Sequence, residues 1–129
     1  MFNLSGKAAL VTGATGGIGG AIARKLHAQG ATVVLSGTRE AVLADLAKEL
    51  GERAFFAVAN LSDAESVDGL VARAEGAAGN PLDILVANAG ITKDTALKRM
   101  TEEMWDAVIN VNLKSVFNFT KAVQPVMWK

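Results

Sequence analysis

Residues 12 to 19 read Thr-Gly-Ala-Thr-Gly-Gly-Ile-Gly, four glycines in eight positions, directly after the apolar run Ala8-Ala9-Leu10-Val11. A glycine-rich turn between a strand and a helix exposes backbone N–H groups at the helix start. The helix dipole adds partial positive charge there, and the two together make a seat for a phosphate. In this GxxxGxG spacing, Gly13 would permit the tight turn, Gly17 would let the chain approach a pyrophosphate, and Gly19 would let the helix pack against the strand. Thr12 and Thr15 add hydroxyls. Lysine does not follow the glycines, which sets a mononucleotide P-loop aside. Glycine-rich turns also occur without any ligand, so the segments around this one have to decide between the two readings.

Outward from the loop, short β-type runs alternate with longer helical ones. Ala8 to Thr12 reads as a buried strand, and Gly17 to Gln29 as a helix with Ile18, Ile22 and Leu26 on one face and Gly30 as its stop. Thr32 to Ser36 is the next strand. A helix from about Glu40 to Leu50 follows, with Val42, Leu43, Leu46 and Leu50 inward and Gly51 closing it. Ala54 to Ala59 is a third strand. Ser62 or Asp63 can cap a helix through about Ala77 that turns Val67, Leu70, Val71 and Ala74 to the core. Asp83 to Ala87 is a fourth strand, and a loop from Gly90 to Met100 leads into a long helix from about Thr101. This alternation implies right-handed crossovers and a parallel sheet with helices on both faces, and the near-continuous apolar strands agree. The glycine loop then follows the first strand of a βαβ unit, which is where a phosphate seat has to be.

The 129 residues are expected to form a single domain, 1–129, with half the residues hydrophobic and a fifth charged. Thirteen basic residues balance thirteen acidic ones, which argues against nucleic acid or anionic membrane as a partner and makes any anion site local. The absence of cysteine excludes disulfides, thiol catalysis and cysteine-held metal, and a cytoplasmic location is expected. The start MFNLSGKAAL lacks an export-type apolar core, and apolar runs fall short of the ~20 residues that cross a bilayer.

Four segments, TGATGGIG, ANLSD (59–63), DILVANAG (83–90) and NVNLKSVF (110–117), resemble the short-chain dehydrogenase/reductase family in the family's order. The stretch from Gly90 to Asn118 is most similar to bacterial 3-oxoacyl-[acyl-carrier-protein] reductases. The resemblance implies a Rossmann-type three-layer α/β fold, cut short after the fourth strand and its following helix, and NADPH-dependent reduction of an acyl carrier protein-linked 3-oxoacyl thioester. It places the cofactor on Gly13, Thr15, Gly16, Gly17, Ile18 and Gly19, with Asn60 and Leu61 along the adenine and Asn88, Ala89 and Gly90 supporting cofactor and sheet. Asn88 can equally be a loop asparagine that satisfies backbone groups.

After the second strand, Thr38 and Arg39 stand where an acid would bind the ribose 2′-hydroxyl, so NADPH is favoured over NADH. Arg39 and Glu40 also suit a solvated helix start. Gly16 sits where the resembling reductases often carry arginine, which removes one possible phosphate partner. At about 100° per residue, Asn112 shares a stripe with Trp105, Ile109, Val116, Phe119 and Val123, and Asn110 lies about 200° away. The resemblance makes Asn112 the asparagine of an Asn-Ser-Tyr-Lys catalytic group that helps hold a proton-relay water; otherwise it is a buried asparagine bonding backbone. His27 reads as a solvated or capping residue.

The sequence contains no tyrosine, so the proton donor that the resemblance implies is expected beyond position 129 and the chain alone is expected to be inactive. Homo-oligomers are expected through the last helix and through the edge of the fourth strand. A non-catalytic dinucleotide-binding or self-associating fragment is the alternative.

Overall fold

A computed structural model describes residues 2–61 and 63–128. The sheet has four parallel strands: β1 (Ala8–Thr12), β2 (Thr32–Gly37), β3 (Ala54–Val58) and β4 (Ile84–Val86), in the order β3-β2-β1-β4. The helices are α1 (Gly17–Ala28), α2 (Glu40–Leu50), α3 (Ala64–Ala78), α4 (Glu102–Ile109) and α5 (Ser115–Met127). A π-helical turn, Asn110–Lys114, joins the last two, and a 3₁₀ turn, Leu97–Arg99, interrupts the loop before α4.

The period-2 alternation of strand side chains splits the core into two layers. Ala9 and Val11 of β1, with Val33 and Leu35 of β2, meet Ala23 of α1 and Leu43 and Leu46 of α2. Ala8, Leu10 and Val34 meet Val67, Leu70, Val71 and Ala74 of α3 and Phe119 and Val123 of α5 on the other face. Helices therefore cover both faces of the sheet, as the alternation of segments implies. Register aligns Val11 with Leu35 on one side and Val86 on the other. The carboxyl ends of all four strands consequently open at the same end of the sheet.

The inward faces of two helices differ from their sequence reading. In α1, Ile18 is 73% exposed and Ile22 and Leu26 half-buried, while Gly19, Gly20 and Ala23 are buried. The helix lies so close to β1 that only small residues fit between them. In α2, Leu43 and Leu46 are buried and Val42 is exposed. The α3 face is as read, and Asp63 caps that helix by accepting a 2.7 Å bond from the Ser66 N–H. The alternative cap, Ser62, lies outside the described residues. The fourth strand is shorter than the run DILVA: Asp83 instead anchors its start, its carboxylate accepting from the Ala8 N–H and its own N–H donating to the Ala8 carbonyl. Among the described residues β4 is an outer strand, with half-buried side chains.

Of the stripe read through Asn112, Phe119 and Val123 are buried and Ile109 half-buried, as read, and the other three residues are not. Trp105, Asn112 and Val116 are exposed; the inward side carries Met104, Val108 and Val111, then Ser115, Asn118, Phe119 and Val123. In the π turn the Ser115 N–H reaches back five residues to the Asn110 carbonyl, and the Ser115 hydroxyl takes the Val111 carbonyl that an α-helix would have paired with that N–H.

Candidate functional site

The site is built where the strand order reverses, between the carboxyl ends of β1 and β4, the position at which open α/β sheets bind ligands. Gly13 leaves β1 at φ +66, in the left-handed region that favours glycine. A Cβ there would lie 2.9 Å from the Ala89 Cα. A Cβ on Gly19 would lie 2.1 Å from the Gly13 carbonyl oxygen and 2.7 Å from Asn88 Nδ2. These two glycines let the turn, the first helical turn and the segment after β4 touch one another. At Gly17 a Cβ would meet no heavy atom within 4 Å, and at Gly16 only the Gly13 carbonyl oxygen at 3.5 Å. Protein packing does not require glycine at those two positions.

One buried hydroxyl ties the halves of the site together. Thr12, 1% exposed, accepts from the Asn88 N–H at 3.0 Å and the Ala89 N–H at 3.1 Å and donates to the Val86 carbonyl at 3.3 Å. Thr12 therefore does not offer its hydroxyl to a phosphate, as the sequence reading had it, but fixes the segment after β4 against the end of β1. Asn88 adds a 3.4 Å bond from Nδ2 to the Gly13 carbonyl. Its loop-bracing reading is thus observed directly.

Two adjoining hollows result. The first, about 410 Å3, is lined by Gly13, Thr15, Gly16, Gly17, Ile18, Gly19, Arg39, Asn88 and Gly90. The second, about 250 Å3, includes Thr38, Asn60, Leu61 and Ala89 and shares Gly13 with the first. Every cofactor-contact residue read from the sequence lies in one or the other. Ile91, Val111 and the Ser36-Gly37 end of β2, which were not read as site residues, also line the second. Their signal in the sequence is only adjacency to the motifs.

The chemistry of the first hollow suits a diphosphate. Gly16 is the N-cap of α1 and provides no side-chain acceptor, the first turn holds no acidic residue, and the first-turn N–H groups have no acceptor within the helix. The unfilled space at Gly16 and Gly17 is room for a group outside the protein. Arg39 holds its guanidinium beside the loop through a 3.3 Å bond from Nη2 to the Thr15 carbonyl. It adds a cation at the end of β2. Leu61, buried in the second hollow, supplies an apolar wall for a flat ring. The residues present fit a dinucleotide.

Asn112 stands apart from both hollows. Its Oδ1 accepts from the Ile91 N–H at 2.7 Å and its Nδ2 donates to the Ile91 carbonyl at 2.8 Å, so the amide pairs with both main-chain groups of Ile91. A Cβ on Gly90 would lie 3.4 Å from Asn112 Oδ1, so this pairing abuts the cleft wall. His27 lies at the opposite end of α1, its Nε2 2.7 Å from the Glu52 carbonyl, away from the site.

Comparison with known proteins places this geometry. The chain is 54% identical over 128 residues to nodulation protein G of Rhizobium sp. (strain N33), covering 98% of this chain and 52% of that protein. It is 50% identical over 117 residues to the 3-oxoacyl-[acyl-carrier-protein] reductase FabG of Rickettsia bellii, covering 91% and 46%. Among solved structures, a blue fluorescent protein from a metagenomic library, in complex with NADPH, superposes with a TM-score of 0.90 at 36% identity, over 97% of this chain and 53% of that one. A metagenomic short-chain oxidoreductase in complex with NADP gives 0.89 at 38%, over 96% and 57%. The chain spans about half the length of the curated relatives it matches. The short chain dehydrogenase model matches residues 7–129, and with the glycine turn, the strand order and the bracing of β4 all in place, this chain belongs to the short chain dehydrogenase family.

Proposed function

We propose that these residues are the cofactor-binding portion of an NADPH-dependent reductase of 3-oxoacyl thioesters carried on acyl carrier protein. The observation that carries the reading is the open space at Gly16 and Gly17 beside first-turn N–H groups and the Arg39 guanidinium. The pyrophosphate would rest on Gly13 to Gly19, the 2′-phosphate between Thr38 and Arg39, and the adenine against Asn60 and Leu61. Similarity to the Rickettsia reductase and to structures holding NADPH or NADP supports the choice of substrate and cofactor. When bound, the cofactor supplies hydride. The chain's own residues hold and orient it, with Thr12, Asn88 and Asn112 fixing the cleft walls.

The sequence has no tyrosine, so the tyrosine that would protonate the carbonyl oxygen is not among these 129 residues, and on this reading they bind cofactor without turning it over. The missing proton donor also supports a second reading, a dinucleotide-binding module without its own catalysis. Joining residues 1–129 to the remaining half of the Rickettsia bellii reductase separates the two. The proposal expects the chimera to oxidise NADPH with acetoacetyl thioester, and the 129 residues alone not to. A folded chimera that binds NADPH yet leaves the thioester unreduced would overturn the reductase reading, and turnover by the 129 residues alone would overturn the assignment of the proton donor.

A further inference from the structure

Beside the cofactor cleft lies a third hollow, about 240 Å3, between the segment 91–100 and α4. Its walls are mostly apolar, formed by Ile91, Met100, Met104, Trp105, Val108 and Ile109, and the exposed Lys93 and Asp94 border it. Asn112 also reaches it, but the amide oxygen and nitrogen are both engaged by the Ile91 backbone. Among the described residues, buried side-chain polar atoms all have partners. Away from the rim, where Thr92, Lys93 and Asp94 lie, such a hollow favours an apolar occupant, because a polar one would lose its hydration against apolar walls. Ile91 lines both this hollow and the second hollow of the cleft, so the two share a wall residue.

We infer that this hollow is the subsite for the aliphatic tail of the thioester substrate, with the carbonyl end of the chain directed past Ile91 to the cofactor cleft. This rests on the reductase reading above. An apolar cavity of about 150 Å3 holds a benzene ring, or about 25 Å3 per carbon; the ≈ 240 Å3 here then accommodates roughly eight of the bulkier methylenes. Met100 and Met104, unbranched and flexible, adapt the walls to chains of different length.

Trp105 gives the hollow its own reporter, since Trp128 is the only other tryptophan and is removed by Trp128→Phe. In that background, titration with S-octanoyl-N-acetylcysteamine is expected to change Trp105 emission saturably, at least tenfold tighter than S-acetyl-N-acetylcysteamine. Val108→Phe, which fills the hollow, should weaken the octanoyl thioester at least tenfold and leave NADPH affinity by calorimetry within twofold. Met104→Lys, at a half-exposed helix position that tolerates a long charged side chain, should do the same by charge instead of bulk. Circular dichroism identifies whichever variant is folded, and that one decides. Equal affinity for the two thioesters, or octanoyl binding unchanged in a folded variant, overturns the inference. Loss of NADPH binding with length-dependent thioester binding intact would sink the reductase reading and leave the subsite standing.

Discussion

Replacing Thr12 by valine keeps the shape of the side chain and removes the hydroxyl that joins β1 to the segment after β4. In the native protein that oxygen accepts from two N–H groups and donates to one carbonyl, at 3.0, 3.1 and 3.3 Å, with the threonine 1% exposed. The Asn88 N–H keeps a second acceptor, the Val86 carbonyl at 3.0 Å, and so loses only part of its bonding. The Ala89 N–H loses the bond it makes to this hydroxyl. Leaving a buried donor unsatisfied costs about 1–3 kcal/mol; both donors here are part-buried, so one full loss and one partial loss should total about 2 kcal/mol. With a urea m-value of about 1–3 kcal/mol/M, the unfolding midpoint should fall by roughly 1–2 M, readable by circular dichroism. NADPH affinity should drop several-fold with it, because Asn88 to Gly90 form one wall of the cleft. Thr12→Ser restores the oxygen and should recover most of both losses. A Thr12→Val protein as stable as the parent to within about 0.5 kcal/mol, the scatter of an inconsequential substitution, would refute the reasoning.

The glycines of the loop separate space needed by the protein from space needed by a ligand. Gly19→Ala should fail to fold or lose at least about 2 kcal/mol, since its Cβ would lie 2.1 Å from the Gly13 carbonyl oxygen. Gly17→Ala, with open space around it, should stay within about 1 kcal/mol of the parent by urea melt and still lose at least tenfold in NADPH affinity by calorimetry; full affinity would remove the pyrophosphate from this position. Arg39→Ala should weaken NADPH about tenfold or more and leave NADH unchanged, and an equal effect on both would make Arg39 a helix-start residue only. Leu113 and Phe117 are 64% and 63% exposed on the outward side of the last helices; the proposed self-association predicts more than a monomer mass by light scattering at micromolar concentration, reduced to monomer by Phe117→Asp. A monomeric parent would end that proposal.

The parts of this protein that are legible in its sequence are those fixed by a local rule. The turn at Gly13 needs a positive φ, α3 has large apolar residues at helical spacing on one side, and strands buried on both faces read as unbroken apolar runs. Alternation of strands with helices then leaves little freedom in topology. The misread faces share a different cause. In α1 the inward residues are glycine and alanine because the helix must come close to β1, and a count of large apolar side chains points to Ile18 instead. Along the last helices, Ser115 and Asn118 are buried polar residues while Trp105 and Val116 are exposed apolar ones, so the apolar stripe is right at Phe119 and Val123 and wrong before them. The π turn adds to this by breaking the 100° step on which the stripe was drawn.

Within the site, the sequence marks residues that line the two hollows and hides those that hold them in place. Thr12 reads as a ligand hydroxyl because it begins the glycine motif, but its three partners lie 74 to 77 residues away in the chain. Asn112 reads as an inward residue of a helix, whereas it is exposed and bonds both main-chain groups of Ile91. Neither partner set is visible before the strands are placed side by side.

Calorimetric titration of the 129-residue chain with NADPH, NADH and 2′-phospho-AMP tests the central claim most directly. On the proposed reading Thr38, Arg39, Asn60 and Leu61 form the adenosine-phosphate end of the cleft, so NADPH and 2′-phospho-AMP should both bind with one-to-one stoichiometry and NADH should bind at least tenfold more weakly. Absence of binding by all three to the folded chain would contradict the account.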